Sequence, residues 1–309
     1  MKRLKIEEKE MTFEEACEKY IHNCCIRNLR EATINHYLQS YEQFYKFFPR
    51  DMPLSQMKKS KFDEYVLFLK GKSINDVTIN TYLRDLITTL HFLMEEGDLS
   101  EFKMNSIKAD KSDVETYSEE ELEVLLKKPN IKKCSFLEYQ GWVVTNFLFS
   151  TGVRQRSLIN IKIKDIDLNN AVVTIRVTKN RRVLVIPLTY TMVNILKDFL
   201  KHRQHESNED WLFCNAYGQQ LTKSTCYRIL SEYNKRRGVE KTGIHRYRHT
   251  FSKQWILCGG NVVSLSKMLG HSNLSITQNY INLLVSDLSE QVNDINLLEK
   301  FSGKKRIKM

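Results

Sequence analysis

Apolar positions in the first hundred residues recur at a spacing of about 3.6 and almost nowhere alternate as they do along a half-buried strand. The pattern predicts four amphipathic helices, near residues 12–28, 32–48, 55–70 and 75–96. Start and stop signals agree with it. Thr12 and Glu15 are spaced as a capping box, Pro49 and Pro53 interrupt the second connection, and Gly71 and Gly97 fall just past helix ends. The string TINHYL at 33–38 returns as TINTYL at 78–83, and both copies open segments with later aromatics (Phe44, Phe47, Phe92). One echo of six residues reads as convergent helix chemistry and falls short of a solenoid repeat.

The periodicity lapses between about 103 and 116, where KMNSIKADKSDVET is polar and has no sustained apolar face, as an exposed interdomain linker does. Ser118 and Glu121 form a second capping box ahead of Leu122, Leu125 and Leu126, which announces a new helix and a new domain. The acidic run Glu119–Glu121 suits a helix N-terminus and needs no metal. Three short β-branched segments within 161–188 (IKIKDID, AVVTIRV and VLVIPL) predict a small antiparallel sheet, with Lys179–Arg182 between the last two. Helical patterns resume at 190–204 and 222–237. A helix near 246–257 ends before Cys258-Gly259-Gly260, and Asn261 caps a short one that stops at Gly270. Ser275 and Gln278 make a further capping box that sets Tyr280 early in the next helix. Beyond it, Leu284, Leu288, Val292, Ile295 and Leu298 give an apolar face before the basic GKKRIK. The expected architecture is mostly α with a small antiparallel β-sheet: a helical domain over 1–105, a linker over 106–116, and a mixed α/β domain over 117–309.

Composition narrows the partner. A chain of 309 residues exceeds what one core usually organises, and a content of 41% hydrophobic residues with 15 Phe and 14 Tyr argues against disorder. Lys and Arg number 48 against 37 Asp and Glu, so the net charge of +11 favours a polyanion met through phosphate contacts. A basic excess also decorates many solvated faces, so motifs must decide. The seven cysteines are odd in number and include no C-x-x-C pair, which suggests neither a disulfide framework nor a zinc ribbon. The adjacent Cys24 and Cys25 suit partial burial better than a redox pair, and His202, His205 and Glu206 lie in a polar helix end that reads as solvated surface. Apolar runs such as Trp142–Phe149 are far too short to span a membrane, and the expected location is cytoplasmic. Neither G-x-x-x-x-G-K-[ST] nor a paired-carboxylate run after a strand occurs, so no nucleotide, metal or other cofactor is expected.

Four clusters remain: TGVR at 151–154, Lys179, HRYR at 245–248 and LGHSNLSITQNY at 269–280. Singly each has an ordinary explanation, as a core tyrosine, capping histidines, ion-paired arginines and a turn lysine. In this order and spacing they resemble the tyrosine recombinase family of phage-integrase and Xer type. The resemblance covers about 116–285, and the first domain is similar to that family's helical core-binding domain. It implies an enzyme that cleaves and rejoins DNA strands at specific sites through a 3′-phosphotyrosyl intermediate on Tyr280. It further implies Arg154 and Arg248 as the phosphate clamp, His245 in acid–base and phosphate-contact work, His271 as a hydrogen-bond donor to the scissile phosphate, and Lys179 as the proton donor to the leaving 5′ oxygen.

Those residue types suit the task. A phosphodiester under attack spreads negative charge over its non-bridging oxygens, and a planar guanidinium supplies two permanent, charge-assisted donors that a lysine cannot reproduce. A phenol with a pKa near about 10 needs a nearby proton acceptor and an electropositive site. The phosphotyrosyl ester conserves the energy of the broken bond, so resealing by another 5′ hydroxyl needs no ATP. One position departs from the resemblance: family members usually carry an acid three residues after the first clamp arginine, where this chain has Ser157, beside Arg156. Loss of that charge is expected to shift His245 toward its neutral form.

The resemblance also implies double-stranded DNA with paired core sites as partner, DNA passing between the two domains, and a tetramer of this chain in which the C-terminal helix docks on a neighbouring protomer. Lys58, Lys59, Lys61, Lys72, Lys108 and Lys111 are candidate DNA-backbone contacts, which position without reading bases. Two rivals stand beside this reading. A type IB topoisomerase shares the tyrosine chemistry, and a non-catalytic DNA-binding relative has Ser157 as its only hint.

Overall fold

The computed structural model describes residues 10–110, 115–271 and 273. The chain divides into two compact units that part between Ser112 and Asp113.

The first unit consists of helices α1 (Phe13–Ile26), α2 (Glu31–Phe44), α3 (Lys59–Lys70) and α4 (Asp76–Glu95). The capping box at Thr12 is made in both directions, the hydroxyl accepting from the Glu15 N–H and the Glu15 carboxylate from the Thr12 N–H. Phe13, Phe44, Phe48, Tyr65 and Leu90 are fully buried in one core. The Phe13 and Tyr65 rings each lie 5.0 Å from that of Phe48. The two echoed strings occupy unlike environments: Leu83 is buried in α4, whereas its counterpart Leu38 in α2 is 45% exposed. The echo therefore carries no shared packing role.

Residues 101–110 are irregular, with exposed and half-buried positions interleaved. Phe102, Met104 and Ile107 pack against the first core. The Asn80 side chain donates to the Ile107 carbonyl and accepts from the Ile107 N–H, both at 2.9 Å, as a paired strand does.

The second unit contains α5 (Glu119–Leu126), α6 (Phe136–Thr151), α7 (Gln155–Leu158), strands β1 (Ile166–Asp167), β2 (Val172–Ile175) and β3 (Leu184–Pro187), then α8 (Tyr190–His202), α9 (Lys223–Lys235), α10 (Ile244–Leu257) and α11 (Val262–Leu269). The sheet runs β1-β2-β3, antiparallel throughout, with Val173 opposite Ile186 and Thr174 opposite Val185. At its centre α6 packs against α8, α9 and α10. Trp142, Val143, Val144, Phe147 and Leu148 are buried on successive faces, so this helix has no polar stripe and leaves no amphipathic signature in the sequence.

Two boundaries differ from the sequence reading. Of the segment IKIKDID only Ile166–Asp167 joins the sheet. Ile163–Asp165 forms a 3-10 turn whose neighbours bond to the chain at 208–212: the Ile163 N–H donates to the Asp210 carbonyl and the Leu212 N–H to that of Ile161. Helix α10 begins at Ile244, two residues earlier than its apolar period, which places His245 in the first turn. Lys111, Ser275, Gln278, Tyr280 and the apolar face from Leu284 to Leu298 lie outside the described residues. Among the described residues no helix is long and apolar enough to cross a membrane.

Candidate active site

The site starts where α6 ends. Gly152 closes the helix in the left-handed region at φ +60°, and a Cβ there would lie 2.6 Å from Phe251 Cδ1 and 2.8 Å from Leu269 Cδ2. Only glycine satisfies both the backbone sign and the close approach. The turn sets Arg154 as the residue that caps α7, and Arg154 Nη1 donates to the Leu269 carbonyl at 3.3 Å.

Arg248 arrives from α10 with 5% exposure. It donates through Nη1 to the Gly152 carbonyl at 2.7 Å, and through Nη2 to the Leu269 carbonyl at 2.9 Å and to His271 Nε2 at 2.8 Å. The helix that carries it is fixed from several sides. The Tyr247 hydroxyl donates to Asn234 Oδ1 at 2.9 Å, the Tyr117 ring lies 4.6 Å from that of Tyr247, the Tyr117 N–H donates to Thr250 Oγ1 at 2.9 Å, and Arg246 pairs with Glu115. Two arginines from distant parts of the chain thus converge on one carbonyl oxygen, that of Leu269.

His271 follows α11 through Gly270 at φ +60°, and its N–H donates back to the Ser266 carbonyl at 3.0 Å. Because Nε2 accepts from Arg248, the ring proton belongs on Nδ1, which leaves that nitrogen as the donor. Burial, then Arg248 and Arg154, lower the His271 pKa to about 4. The same three influences, in the same order, lower that of His245. His249, one helical turn further, is lowered by burial, by His245 and by Arg248. Near neutral pH these imidazoles are uncharged.

Together these elements wall a cavity of about 470 Å³ that Arg154, Arg182, Arg248, His271, Thr178 and Asn180 supply with polar groups. Among the described residues three arginines line it and no carboxylate does. Such a site is made for an oxyanion.

The other expected residues stand as follows. His245 stands in the first turn of α10 with part of its ring open to solvent and the rest desolvated by the surrounding protein, within the electrostatic reach of both arginines. Lys179 is exposed in the turn between β2 and β3, next to the cavity-lining Thr178 and Asn180. Tyr280 lies outside the described residues. In the first unit Lys59 pairs with Asp63 at 2.7 Å and Lys61 with Glu64 at 2.9 Å. Lys72 sits 4.1 Å above the Phe68 ring, and burial followed by the charge of Lys46 lowers its pKa. Lys58 and Lys108 are exposed, and Lys111 is not among the described residues.

Sequence reasoning missed Arg182, Thr178, Asn180 and His249. Arg182 was visible only as one of a basic run, and the run's register against the cavity is set by the hairpin. Ser157 does not support a histidine. Its buried hydroxyl donates to the Val177 carbonyl at 2.8 Å. His245 is pushed toward its neutral form, as expected, but the causes are burial and the two arginines.

The model of the Phage integrase family matches residues 115–287. The tyrosine recombinase XerA of Pyrococcus furiosus is 28% identical over 237 residues, covering 76% of this chain and 79% of its own length. The tyrosine recombinase XerC of Staphylococcus epidermidis is 27% identical over 264 residues, 83% of this chain and 88% of its own. Among solved structures, the integrase of transposon Tn1549 in complex with circular intermediate DNA superposes with a TM-score of 0.69 at 22% identity, over 86% of this chain and 94% of that one.

Proposed function

The chain belongs to the phage integrase family and is a site-specific tyrosine recombinase, and from that premise we propose how its own residues carry the reaction. The Tyr280 oxygen attacks the scissile phosphorus while its proton passes to His245, whose lowered pKa leaves a lone pair open at neutral pH. The bond from phosphorus to the 5′ oxygen breaks, and Lys179 gives that oxygen a proton. The products are a 3′-phosphotyrosyl ester and a free 5′ hydroxyl. Attack by a second strand's 5′ hydroxyl reverses each transfer and reseals the DNA. Arg154 and Arg248 hold the non-bridging oxygens, and His271 donates to them from Nδ1.

The observation that carries this reading is a cavity lined by three arginines and a neutral histidine and, among the described residues, by no carboxylate. A polyanionic ligand supplies the missing negative charge. DNA is that ligand, and the integrase with which this chain shares its fold was itself solved on DNA. Among the described lysines Lys58, Lys72 and Lys108 are the better candidates for backbone contacts, and Lys111 is a candidate on sequence alone. Lys59 and Lys61 must first leave their carboxylate partners. The working form is a tetramer on paired core sites. An apolar groove of about 630 Å³ beside Phe149, Leu188, Phe251, Trp255 and Met268 is the receiver for residues 284–298 of a neighbouring copy.

Nicked duplexes carrying a core site provide the test, because the nick releases a short fragment and traps the ester. Adducts that resist SDS should form with the parent and vanish in Tyr280→Phe. Adducts that persist in the mutant would remove the nucleophile assignment. Relaxation of any plasmid regardless of site would favour the topoisomerase.

A further inference from the structure

Ser157 belongs to the same short helix as Arg154 and is 7% exposed, and the one proton of its hydroxyl is committed to the Val177 carbonyl at 2.8 Å. Val177 lies two residues beyond β2 and two before Lys179. Two further bonds hold the turn that follows. Thr178 Oγ1 donates across it to the Arg182 carbonyl at 2.7 Å, and Asn180 Nδ2 reaches the Gly270 carbonyl at 3.4 Å. The turn is thus tied to the arginine helix at its base, to itself across its waist, and loosely to the His271 turn at its tip.

We propose that Ser157 is a positioning residue: through the Val177 carbonyl it fixes the β2–β3 turn to α7 and so sets where the Lys179 ammonium delivers its proton. The inference rests on the reading of Lys179 as the donor to the leaving 5′ oxygen. The chemistry of the bond explains why a hydroxyl serves here in place of an acid. A carbonyl only accepts, so its partner must donate, and an ionised carboxylate at 157 would face the Val177 oxygen with like charge. Without the tether, a lysine with four rotatable bonds on an exposed turn loses its register against a phosphate held by Arg154. Proton donation depends on that geometry as much as on the ammonium itself.

The test separates position from fold by changing the leaving group. In a nicked duplex whose bridging 5′ oxygen is replaced by sulfur, the departing thiolate is stable near neutral pH and needs no proton donor. Ser157→Ala should cleave ordinary DNA about tenfold or more slowly, within the range of lost general-acid catalysis, and should cleave the sulfur substrate at the parent rate. Lys179→Ala should show the same pattern. Ser157→Thr, which keeps the donor, should behave as the parent on both substrates. If Ser157→Ala is slow on both substrates, or on neither, while Lys179→Ala is rescued by sulfur, the positioning role fails alone. If Lys179→Ala is not rescued, the assignment of Lys179 fails and this inference falls with it.

Discussion

At the scale of single residues, His271 shows how far an identity and a state can be separated. The histidine itself was legible from its place nine residues before Tyr280 in LGHSNLSITQNY. Its charge was not, because the burial and the two guanidiniums that set it come from α6, α7 and α10. In the folded chain its pKa is about 4, below the value of about 6.5 for an exposed imidazole. The folded state therefore binds this proton less readily than the unfolded one. The resulting contribution to stability is complete above about pH 6.5 and is lost as pH falls toward 4. His245 and His249 act in the same direction. The urea midpoint of the parent should consequently fall more between about pH 7 and pH 4.5 than that of His271→Gln, which keeps an acceptor for Arg248 but does not titrate. Equal slopes for the two proteins would contradict the buried, neutral histidine. Ser157 makes the same point from the other side: the departure was plain in the sequence, but the Val177 carbonyl that explains it is twenty positions away.

At the scale of elements, what could be read was what obeys a local rule. The helices of the first unit, α8 and α9 each present a polar face to water, and their caps at Thr12, Asn75 and Thr189 are made by the side chains at those positions. Helix α6 escaped because beyond its first turn it is buried on nearly every side, from Tyr139 to Leu148. The 161–165 segment was misassigned because its backbone partners, at 208–212, are an irregular stretch that no periodicity announces. The turn from α6 to α7 concentrates the energetic demand. Gly152→Ala meets both a positive φ and two side chains closer than any ordinary Cβ contact. It should cost about 1–3 kcal/mol, read as a lower Tm. Cleavage should fall further than the stability loss explains, since Arg154 follows this turn and Arg248 bonds to the Gly152 carbonyl. A mutant with lowered Tm and parental cleavage would show that the turn does not set the clamp.

For the molecule as a whole, two cores were foreseeable from length and from the polar break after the first hundred residues. The tie from Asn80 to Ile107 was not, because a single asparagine can partner any backbone segment. The assembly prediction belongs here too. Truncation after Leu284 removes the apolar face that the groove beside Trp255 is proposed to receive, and it should abolish cooperative formation of higher complexes on paired sites in gel-shift assays while leaving single-site binding. Unchanged cooperativity would rule out exchange of that segment. The shared Leu269 carbonyl bears on what this molecule will respond to. Each arginine is already held by this carbonyl when no DNA is present, so the two guanidiniums are set in place before a phosphate arrives and less ordering is left for binding to supply. A phosphate on a duplex gripped elsewhere along its backbone meets that pre-set clamp at a high effective concentration, so the ordered arginines and the length of duplex engaged reinforce each other.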